Sequence, residues 1–243
     1  MLTRTNRFLA ALGGDVELIR PHLREVALRA GQVLAEPGDP VRFVYFLHEG
    51  LVSKLVVFED GTEIECALVG REGAVGATCA IGLSIAVTRD VCHLNARAAI
   101  IDATAFQMAA RKSERIHQAI DSYSAWKMSY VIRSGACNAR HSVEQRLCRW
   151  LLTCSDVLEQ SEINLSQDVF AKMLGVQRTT VNPSLQRLRE EGLIAIGRGR
   201  VVLQDRRGLK QRACECYAAL RAAEEDMLPW AGGPQDAVVA DRL

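Results

Sequence analysis

The chain lacks the long apolar runs of membrane-spanning and exported proteins. Its longest weakly polar stretch, residues 74–87, is broken by glycine and polar side chains, whereas a transmembrane helix needs about 20 mostly apolar residues. The apolar stretch at residues 8–12 is also too short for the core of a secretory signal followed by a cleavage site. We therefore expect a cytoplasmic protein with no membrane partner.

Metal-binding and catalytic motifs are scarce as well. None of the eight cysteines belongs to a Cys-x-x-Cys pair, so reduced and mostly buried thiols are expected. Cys214 and Cys216 are close in sequence, but residues two apart on a helix point in different directions, which argues against chelation. The five histidines are widely spread, without a His-x-His pair. These absences predict no bound metal and argue against a rival hypothesis, a cupin-type metalloenzyme.

The net charge of the whole chain is close to zero, but the charge is unevenly distributed along it. The whole chain carries +1, yet the segment from Arg140 to Arg212 holds 13 basic and 8 acidic residues. The rest of the chain therefore carries the acidic excess. A basic C-terminal segment suits a phosphate-bearing partner such as double-stranded DNA.

The texture of the chain changes along its length. Residues 28–105 are short β-rich runs separated by glycine turns, which predicts an antiparallel roll. Residues 106–139 have no proline and one glycine, which predicts one long helix. We predict an α+β fold. Its parts are an N-terminal antiparallel β-roll (residues 1–106), a dimerisation helix (107–139), a C-terminal winged helix-turn-helix (140–228) and a disordered tail (229–243).

Two apolar stripes follow the predicted long helix. They consist of Ile116, Ile120, Tyr123 and Tyr130, and of Ala125, Met128 and Ile132. A helix with two narrow stripes can pack on its own sheet domain and on a second copy of itself. We assign the first stripe to a homodimer, with a helix buried only in its own subunit as the alternative. Ser142 and Gln145 form a capping box that starts a new helix, so the preceding residues predict a hinge: Asn138, Ala139, Arg140 and His141.

Residues 163–203 have the pattern of a winged helix-turn-helix. Ser166 is the predicted N-cap of a short helix, and Gly175 ends it. A second helix begins at Gln177 or Arg178. Two β runs around a basic, glycine-rich tip then predict a hairpin wing. The complete arrangement is more specific than either half and predicts DNA binding.

The second helix is predicted to read DNA with the face opposite its buried stripe. Arg178 suits guanine, and Asn182 or Gln186 suits adenine, while the wing and the first helix start suit phosphates. The predicted contacts are Ser166, Gln167, Gln177, Arg178, Thr179, Thr180, Asn182, Pro183, Gln186, Arg198 and Arg200. Pro183 lies inside this helix, which predicts a kink or a widened turn.

The whole arrangement resembles the Crp/Fnr family of bacterial transcription regulators. The resemblance is carried by Gly31-Gln32-Val33-Leu34, by Pro37-Gly38-Asp39, by the strand from Val44 to Gly50, by Ser142 to Leu147 and by the winged segment. It implies a homodimer joined through the long helix, an effector pocket in the roll and a pseudo-palindromic DNA site. It also implies contact with RNA polymerase.

The resemblance also directs attention to an effector site, expected at Gly76, Ala77, Thr78, Thr88 and Arg89. Members that bind cyclic AMP have Gly-Glu-Leu where this chain has Gly76-Ala77-Thr78, and alanine cannot accept a hydrogen bond from a ribose hydroxyl. We therefore expect either a small effector other than cyclic AMP or a redox signal. Arg89 is then either a phosphate ligand or part of an internal ion pair.

Two further expectations complete the sequence reading. Iron–sulfur members have cysteines near the start, and this chain has none before Cys66, so no cluster is expected. A rival function is an effector-independent DNA-binding or scaffold protein whose roll only supports dimerisation. In that case, packed side chains should fill the interior of the roll.

Overall fold

The computed structural model describes residues 6–228 and residue 230. The α-helices are α1 Arg7–Ala11, α2 Ala103–Lys112, α3 Glu114–Arg140, α4 Val143–Leu158, α5 Gln167–Leu174, α6 Arg178–Glu190, α7 Arg206–Arg212 and α8 Cys216–Met227. The strands are β1 Arg24–Leu28, β2 Val33–Ala35, β3 Phe43–Glu49, β4 Val52–Val57, β5 Glu63–Val69, β6 Ala74–Val75, β7 Arg89–Cys92, β8 Ala96–Asp102, β9 Glu162–Ile163, β10 Ile194–Gly197 and β11 Arg200–Leu203. The predicted α+β fold is confirmed.

Two four-stranded antiparallel sheets form the N-terminal roll. Their strand orders are β1-β8-β3-β6 and β2-β7-β4-β5. Leu47 of β3 and Val52 of β4 belong to one apolar cluster with side chains of β5, β6, β7 and β8. Part of the interior between the sheets is therefore a shared core, which stabilises the roll by removing apolar surface from water.

The predicted single helix over residues 106–139 is wrong, because a break divides it. Ser113 is extended (φ −129°, ψ 115°), and its hydroxyl accepts a hydrogen bond from the Ile116 N–H, as a helix N-cap does. The Ser113 hydroxyl also donates to Asp15 Oδ2 at 2.5 Å. Helix α2 therefore packs beside the roll, and α3 starts in a new direction.

The apolar stripe predicted for dimerisation is also placed wrongly. Its four side chains are buried inside their own chain, at 0–4% exposure: Ile116, Ile120, Tyr123 and Tyr130. Tyr123 packs edge-on against Phe8, so this face of α3 is committed to the core between the roll and the N-terminal helix. The second stripe is the exposed one, with Met128 63% and Ile132 65% accessible.

The C-terminal unit begins with a helix that the sequence predicted well. The Ser142 hydroxyl accepts from the Gln145 N–H and the Gln145 side chain accepts from the Ser142 N–H, so the capping box is confirmed. Helix α3 ends at Arg140 with His141 as its C-cap. The predicted hinge residues therefore coincide with a helix boundary, and motion there stays a prediction.

The winged segment has its predicted helices and hairpin, with one additional strand. The short strand β9 pairs with β11, so the wing belongs to a three-stranded sheet in the order β10-β11-β9. Gly175 adopts φ +62°, and a Cβ there would lie 2.9 Å from Ile64 of β5. Only glycine fits both the left-handed turn and this contact.

The winged unit packs directly on the outer face of the β2-β7-β4-β5 sheet. Leu51, Leu55 and Leu68 of the roll share one apolar cluster with side chains of α4, α5 and α6. At its centre is the buried carboxylate of Glu65, which accepts hydrogen bonds from Ser53 Oγ (2.6 Å) and Trp150 Nε1 (2.7 Å). The domain boundaries at residues 106, 139 and 228 stay predictions.

The C-terminal helix returns to the long helix, where Leu220 and Leu228 join the core around α3. Trp230 packs edge-on against Phe8, and its Nε1 donates to the Glu72 carbonyl at 3.1 Å. The predicted disordered tail therefore does not include Trp230, and its other positions, 229 and 231–243, lie outside the described residues. None of the described helices is long and apolar enough to cross a membrane.

Candidate nucleic-acid interface and sensor cavity

Helix α6 presents a polar face to solvent. Its apolar stripe is fully buried at Val181, Leu185 and Leu188, because the winged fold packs this face against α4 and α5. The predicted readers on the same helix divide into two groups. Those exposed to solvent are Gln177, Arg178, Thr179, Thr180 and Pro183, and those partly exposed are Asn182 and Gln186.

The wing, the start of α5 and the start of α6 converge on one groove of about 240 Å³. Its lining includes Ser166, Gln167, Arg178 and Arg200 from the predicted set. Arg198 stands exposed at the tip, in the two-residue turn between Gly197 and Arg200. The structure thus brings the predicted phosphate contacts next to the first turn of α6.

Two arginines of this groove already have acidic neighbours. Arg178 lies 3.3 Å from Asp168, and Arg200 lies 3.5 Å from Glu162. All four side chains are at least 41% exposed, so such ion pairs contribute little free energy and a phosphate can replace the carboxylate. The arrangement keeps both guanidinium groups oriented at the protein surface.

Ser166 occupies the predicted N-cap position of α5 but makes no side-chain capping hydrogen bond. Its extended backbone (φ −79°, ψ 160°) is that of an N-cap. Because Ser166 is exposed, its hydroxyl and the adjacent helix N–H groups face the groove and can donate to a phosphate oxygen.

Pro183 lies inside α6 without ending it, since the helix continues to Glu190. The preceding residue, Asn182, has a buried Oδ1 with no hydrogen-bond partner among the described residues. An unpaired buried acceptor costs roughly 1–3 kcal/mol. A base can reach this oxygen only if the side chain turns outward, so the predicted contact of Asn182 with adenine stays a prediction.

The roll contains a second concave site, a cavity of about 460 Å³. Its lining is mostly apolar side chains of β2, β3, β6 and the segments before β3 and β7: Leu34, Val41, Phe43, Tyr45, Val75, Leu83, Ile85 and Val87. Gly76, Thr78 and Thr88 of the predicted effector set also line it. Gly76 adopts φ +84°, and a Cβ there would lie 2.7 Å from the Phe43 carbonyl. Its role is therefore to let the backbone turn at the wall of the cavity.

Two residues of the predicted effector set do not line this cavity. Arg89 is bound to Glu36 at 2.8 Å and to Glu63 at 2.5 Å, which confirms the ion-pair alternative for its side chain. It cannot face the cavity because successive strand residues point to opposite sides, and Thr88 and Asp90 take the inner side. Ala77 is 1% exposed and belongs to the apolar core instead.

The charged residues that line the cavity are Asp39, Arg42, Lys54 and Asp90, and none of them was among the predicted effector residues. Lys54 of β4 lies opposite Asp90 of β7 in the strand register, and its Nζ donates to both Asp90 oxygens at 2.6 and 2.8 Å. The Thr88 hydroxyl donates to the same carboxylate at 2.7 Å. Alternation along Thr88-Arg89-Asp90 was the signal for this placement, because it puts Asp90 and Thr88 on one face and Arg89 on the other.

Family comparisons agree with this division into roll and winged unit. Residues 25–118 match the model of the cyclic nucleotide-binding domain. Residues 145–212 match the model of the Crp-like helix-turn-helix domain. Together the two models match about two thirds of the chain. A search of curated proteins found no match.

Solved structures share the fold over most of the chain. FixK2 from Bradyrhizobium japonicum is 16% identical, with a TM-score of 0.70 over 79% of this chain and 98% of that one. The regulator CLP from Xanthomonas campestris, described as responsive to c-di-GMP, is 22% identical, with a TM-score of 0.65 over 78% and 98%. A Crp-family regulator from Thermus thermophilus is 22% identical, with a TM-score of 0.66 over 77% and 96%. With both characteristic domains matched in order, the chain belongs to the Crp/Fnr family of transcription regulators.

Proposed function

We propose that the protein is a homodimeric transcription regulator that reads a pseudo-palindromic DNA site and responds to a small effector. The proposed DNA binding is inferred from the groove that Ser166, Arg178 and Arg200 line beside the polar face of α6. A helix of this kind enters the major groove while the wing holds the neighbouring backbone. Its transcriptional role includes contact with RNA polymerase, as in the family.

Base reading and phosphate binding are divided between the helix and the wing. Arg178, Thr179, Asn182 and Gln186 lie on α6 with the position and chemistry for base edges. Arg198 stands at the wing tip. A contact there adds affinity without sequence information.

A binding experiment separates these roles. Sites selected from random duplex DNA by the full-length protein should show two inverted half-sites about one helical turn apart. Arg178→Ala should weaken binding to that site by about 1–3 kcal/mol and relax the preference at one position of each half-site. Arg198→Ala should weaken binding to all sequences alike and lower the salt dependence of affinity by about one unit of slope per binding arginine.

The matched control is Arg111→Ala, which removes an exposed arginine from α2, far along the chain from the winged unit. It should leave affinity, site preference and salt dependence unchanged. If no site is enriched in the selection, the proposed sequence-specific function is wrong. If Arg111→Ala weakens binding as much as Arg198→Ala, the binding surface is elsewhere.

The exposed stripe of α3 supports the dimer. Ala125, Met128 and Ile132 follow one another on the solvent face, with Val131 beside them. Apolar side chains at this spacing suit helix–helix pairing with a second copy. Met128→Glu should shift the protein to monomer in light scattering, because a carboxylate cannot be buried in that seam. Met108→Glu, a change at another exposed methionine, on α2, should leave the dimer intact, and a monomeric wild type would refute the seam.

The cavity in the roll supports the hypothesis that the roll binds an effector over the hypothesis that it only supports dimerisation. Its volume of about 460 Å³ falls within the range of small-molecule sites, whereas a roll with only a scaffold role should be filled. Arg89 is paired elsewhere and Ala77 is in the core. The site therefore has an apolar wall, with Asp39, Arg42 and the Lys54–Asp90 pair rather than Arg89 as its charged groups, and its effector is a small molecule with an apolar body and a polar group.

A thermal-shift screen of metabolites and nucleotides tests this, since a ligand that binds the folded form raises its melting temperature. Ile85→Trp places a large side chain at the cavity lining and should abolish the shift from any hit. Ile81→Trp alters an isoleucine of similar exposure that does not line the cavity and should retain it. Equal responses in both variants would place the ligand outside the roll.

A further inference from the structure

Three thiols and an imidazole meet where the long helix ends. They belong to Cys137, His141, Cys214 and Cys216, and their ligand atoms all lie within 4.8 Å of one another. Cys137 is on the last turns of α3, His141 caps that helix, and the other two cysteines lie at the junction of α7 and α8. The three sulfurs are buried and form an apolar cluster of their own.

The sequence argument against chelation assumed that Cys214 and Cys216 lie on one helix. The structure places a helix boundary there: α7 ends at Arg212, and α8 begins only at Cys216. Cys214 is therefore free of the helical constraint that turns residues two apart to different sides. The pairing with Cys137, 77 residues earlier, has no signal in the spacing of the cysteines.

The distances suit a single tetrahedral ion. Cys137 Sγ lies 3.5 Å from Cys214 Sγ, and Cys216 Sγ lies 3.8 Å from His141 Nδ1. Around a tetrahedral zinc ion, neighbouring sulfur and nitrogen ligands lie about 3.4–3.8 Å apart, as bond lengths of about 2.3 and 2.0 Å require. A cluster with several irons would spread its ligands over different metal atoms, which the short mutual distances do not favour.

The histidine is held as metal-bound histidines are. Its Nε2 lies 3.1 Å from a carboxylate oxygen of Glu215, while Nδ1 faces Cys216. When Nε2 carries the proton and donates a hydrogen bond to this carboxylate, Nδ1 is unprotonated and its lone pair points toward the three sulfurs. A carboxylate behind the imidazole fixes the ring and raises its basicity as a ligand.

The surroundings also have the charge that such a centre needs. Zinc with three thiolates and one neutral imidazole carries a net negative charge. Arg146 and Arg149 are buried, at 8% and 5% exposure, and both interact electrostatically with Cys137. Their Nε atoms have no hydrogen-bond partner among the described residues. Two buried guanidinium groups beside the thiols offset the charge of the loaded site.

We propose that Cys137, His141, Cys214 and Cys216 bind one zinc ion. Three thiolates and an imidazole are a recurrent ligand set for structural zinc and leave no coordination position open. The ion joins the end of α3 to the α7–α8 junction, so it ties the boundary between the sensor half and the winged unit to the C-terminal helices. Its role is to stabilise that boundary.

Metal analysis of the full-length protein tests the site. Protein produced with zinc in the medium and desalted should contain about one zinc per chain. Cys137→Ala and Cys214→Ala should each lower this content at least ten-fold. Cys148→Ala removes an equally buried thiol from α4 and should retain full zinc content. Glu215→Ala should keep the site but weaken zinc affinity about 10- to 100-fold.

Cobalt binding to the wild-type protein tests the ligand set of the site by absorption spectroscopy, without the use of a variant. Apo-protein titrated with Co²⁺ should give the intense visible bands of tetrahedral cobalt with thiolate ligands, saturating at one equivalent, and zinc should displace them. Wild type without bound zinc that also gives no such bands overturns the proposal. So does a Cys137–Cys214 disulfide in freshly purified protein, or equal zinc in Cys137→Ala and Cys148→Ala.

Discussion

Pro183 sets a local cost inside the helix that is proposed to read DNA. A proline at this position has no N–H for the carbonyl one turn earlier, and its ring crowds that carbonyl. Helix α6 nevertheless runs from Arg178 to Glu190 without interruption. Its stability must therefore come from the buried stripe of Val181, Leu185 and Leu188, because tertiary packing supplies most of the stability of a helix in a protein.

Replacing Pro183 with alanine should raise the free energy of unfolding, by at most about 3 kcal/mol, and change the preferred base next to Asn182. The gain comes from a restored hydrogen bond and relieved crowding. Urea unfolding and site selection measure the two effects. Ser184→Ala, at the next residue of the same helix, should change stability by much less. Unchanged stability and unchanged site preference in Pro183→Ala would contradict the expectation.

At the scale of elements, the turn between α5 and α6 is fitted to the sheet beneath it. Gly175 and Gly192 both follow helix ends with positive φ, +62° and +72°. Only Gly175 lies against another element, since a Cβ there would meet Ile64 of β5 at 2.9 Å, whereas nothing lies within 4 Å at Gly192. The pair separates backbone strain from contact with the roll.

Gly175→Ala should therefore destabilise the protein more than Gly192→Ala. Both pay roughly 1–2 kcal/mol for a left-handed alanine, and Gly175→Ala adds the clash with Ile64. The free energies of unfolding of the two variants give the comparison. Adding Ile64→Ala should remove much of the excess cost of Gly175→Ala, whereas an equal cost in both glycine variants would mean that the turn and the sheet are not in contact.

Short elements with strong local signals were predictable, and contacts between distant elements were not. The capping box at Ser142, the turn at Gly175 and the basic wing are each specified within a few residues, and all appear in the structure. The break at Ser113 was missed because its cap is supported by Asp15, nearly 100 residues away. In the same way, nothing local shows which stripe of α3 Phe8 covers.

The candidate sites follow the same rule. The residues proposed to face DNA lie on α6, the wing and the start of α5, so local patterns such as helical periodicity were enough to select them. The charged pair of the cavity joins Lys54 to Asp90 across two strands, and the thiol cluster joins Cys137 to Cys214 across the winged unit. Only the fold brings such residues together.

For the molecule as a whole, one carboxylate joins the roll to the winged unit. Burial raises the pKa of Glu65 from 4.5 to about 7, with Ser53, Trp150 and nearby cations opposing the shift. A raised pKa means that the folded protein binds this proton more tightly than the unfolded chain does. The resulting stabilisation is complete below about pH 4.5 and is lost as pH rises to about 7.

Wild type should therefore lose stability relative to Glu65→Gln between pH 4.5 and 7, by about 3 kcal/mol. The glutamine amide stays neutral and can still accept from Trp150 Nε1, so it keeps the contact without titrating. Denaturant unfolding of both proteins at several pH values isolates this group from the others that titrate. A difference that does not change with pH would show that Glu65 is not buried between the two halves.

In the proposed dimer, the packing of the winged unit on the sheet limits how the two protomers can adjust to DNA. Lys172 near the end of α5 lies 3.6 Å from Glu63, Met173 Sδ lies 3.5 Å from Ser53 Oγ, and Trp150 is bound to Glu65. While these contacts hold, the roll and the winged unit of one protomer move together as a rigid body. The distance between the two α6 helices of the proposed dimer then depends only on the angle at which the two protomers meet. A change of half-site spacing therefore requires either a tilt of one protomer against the other or the loss of all these contacts between the winged unit and the sheet.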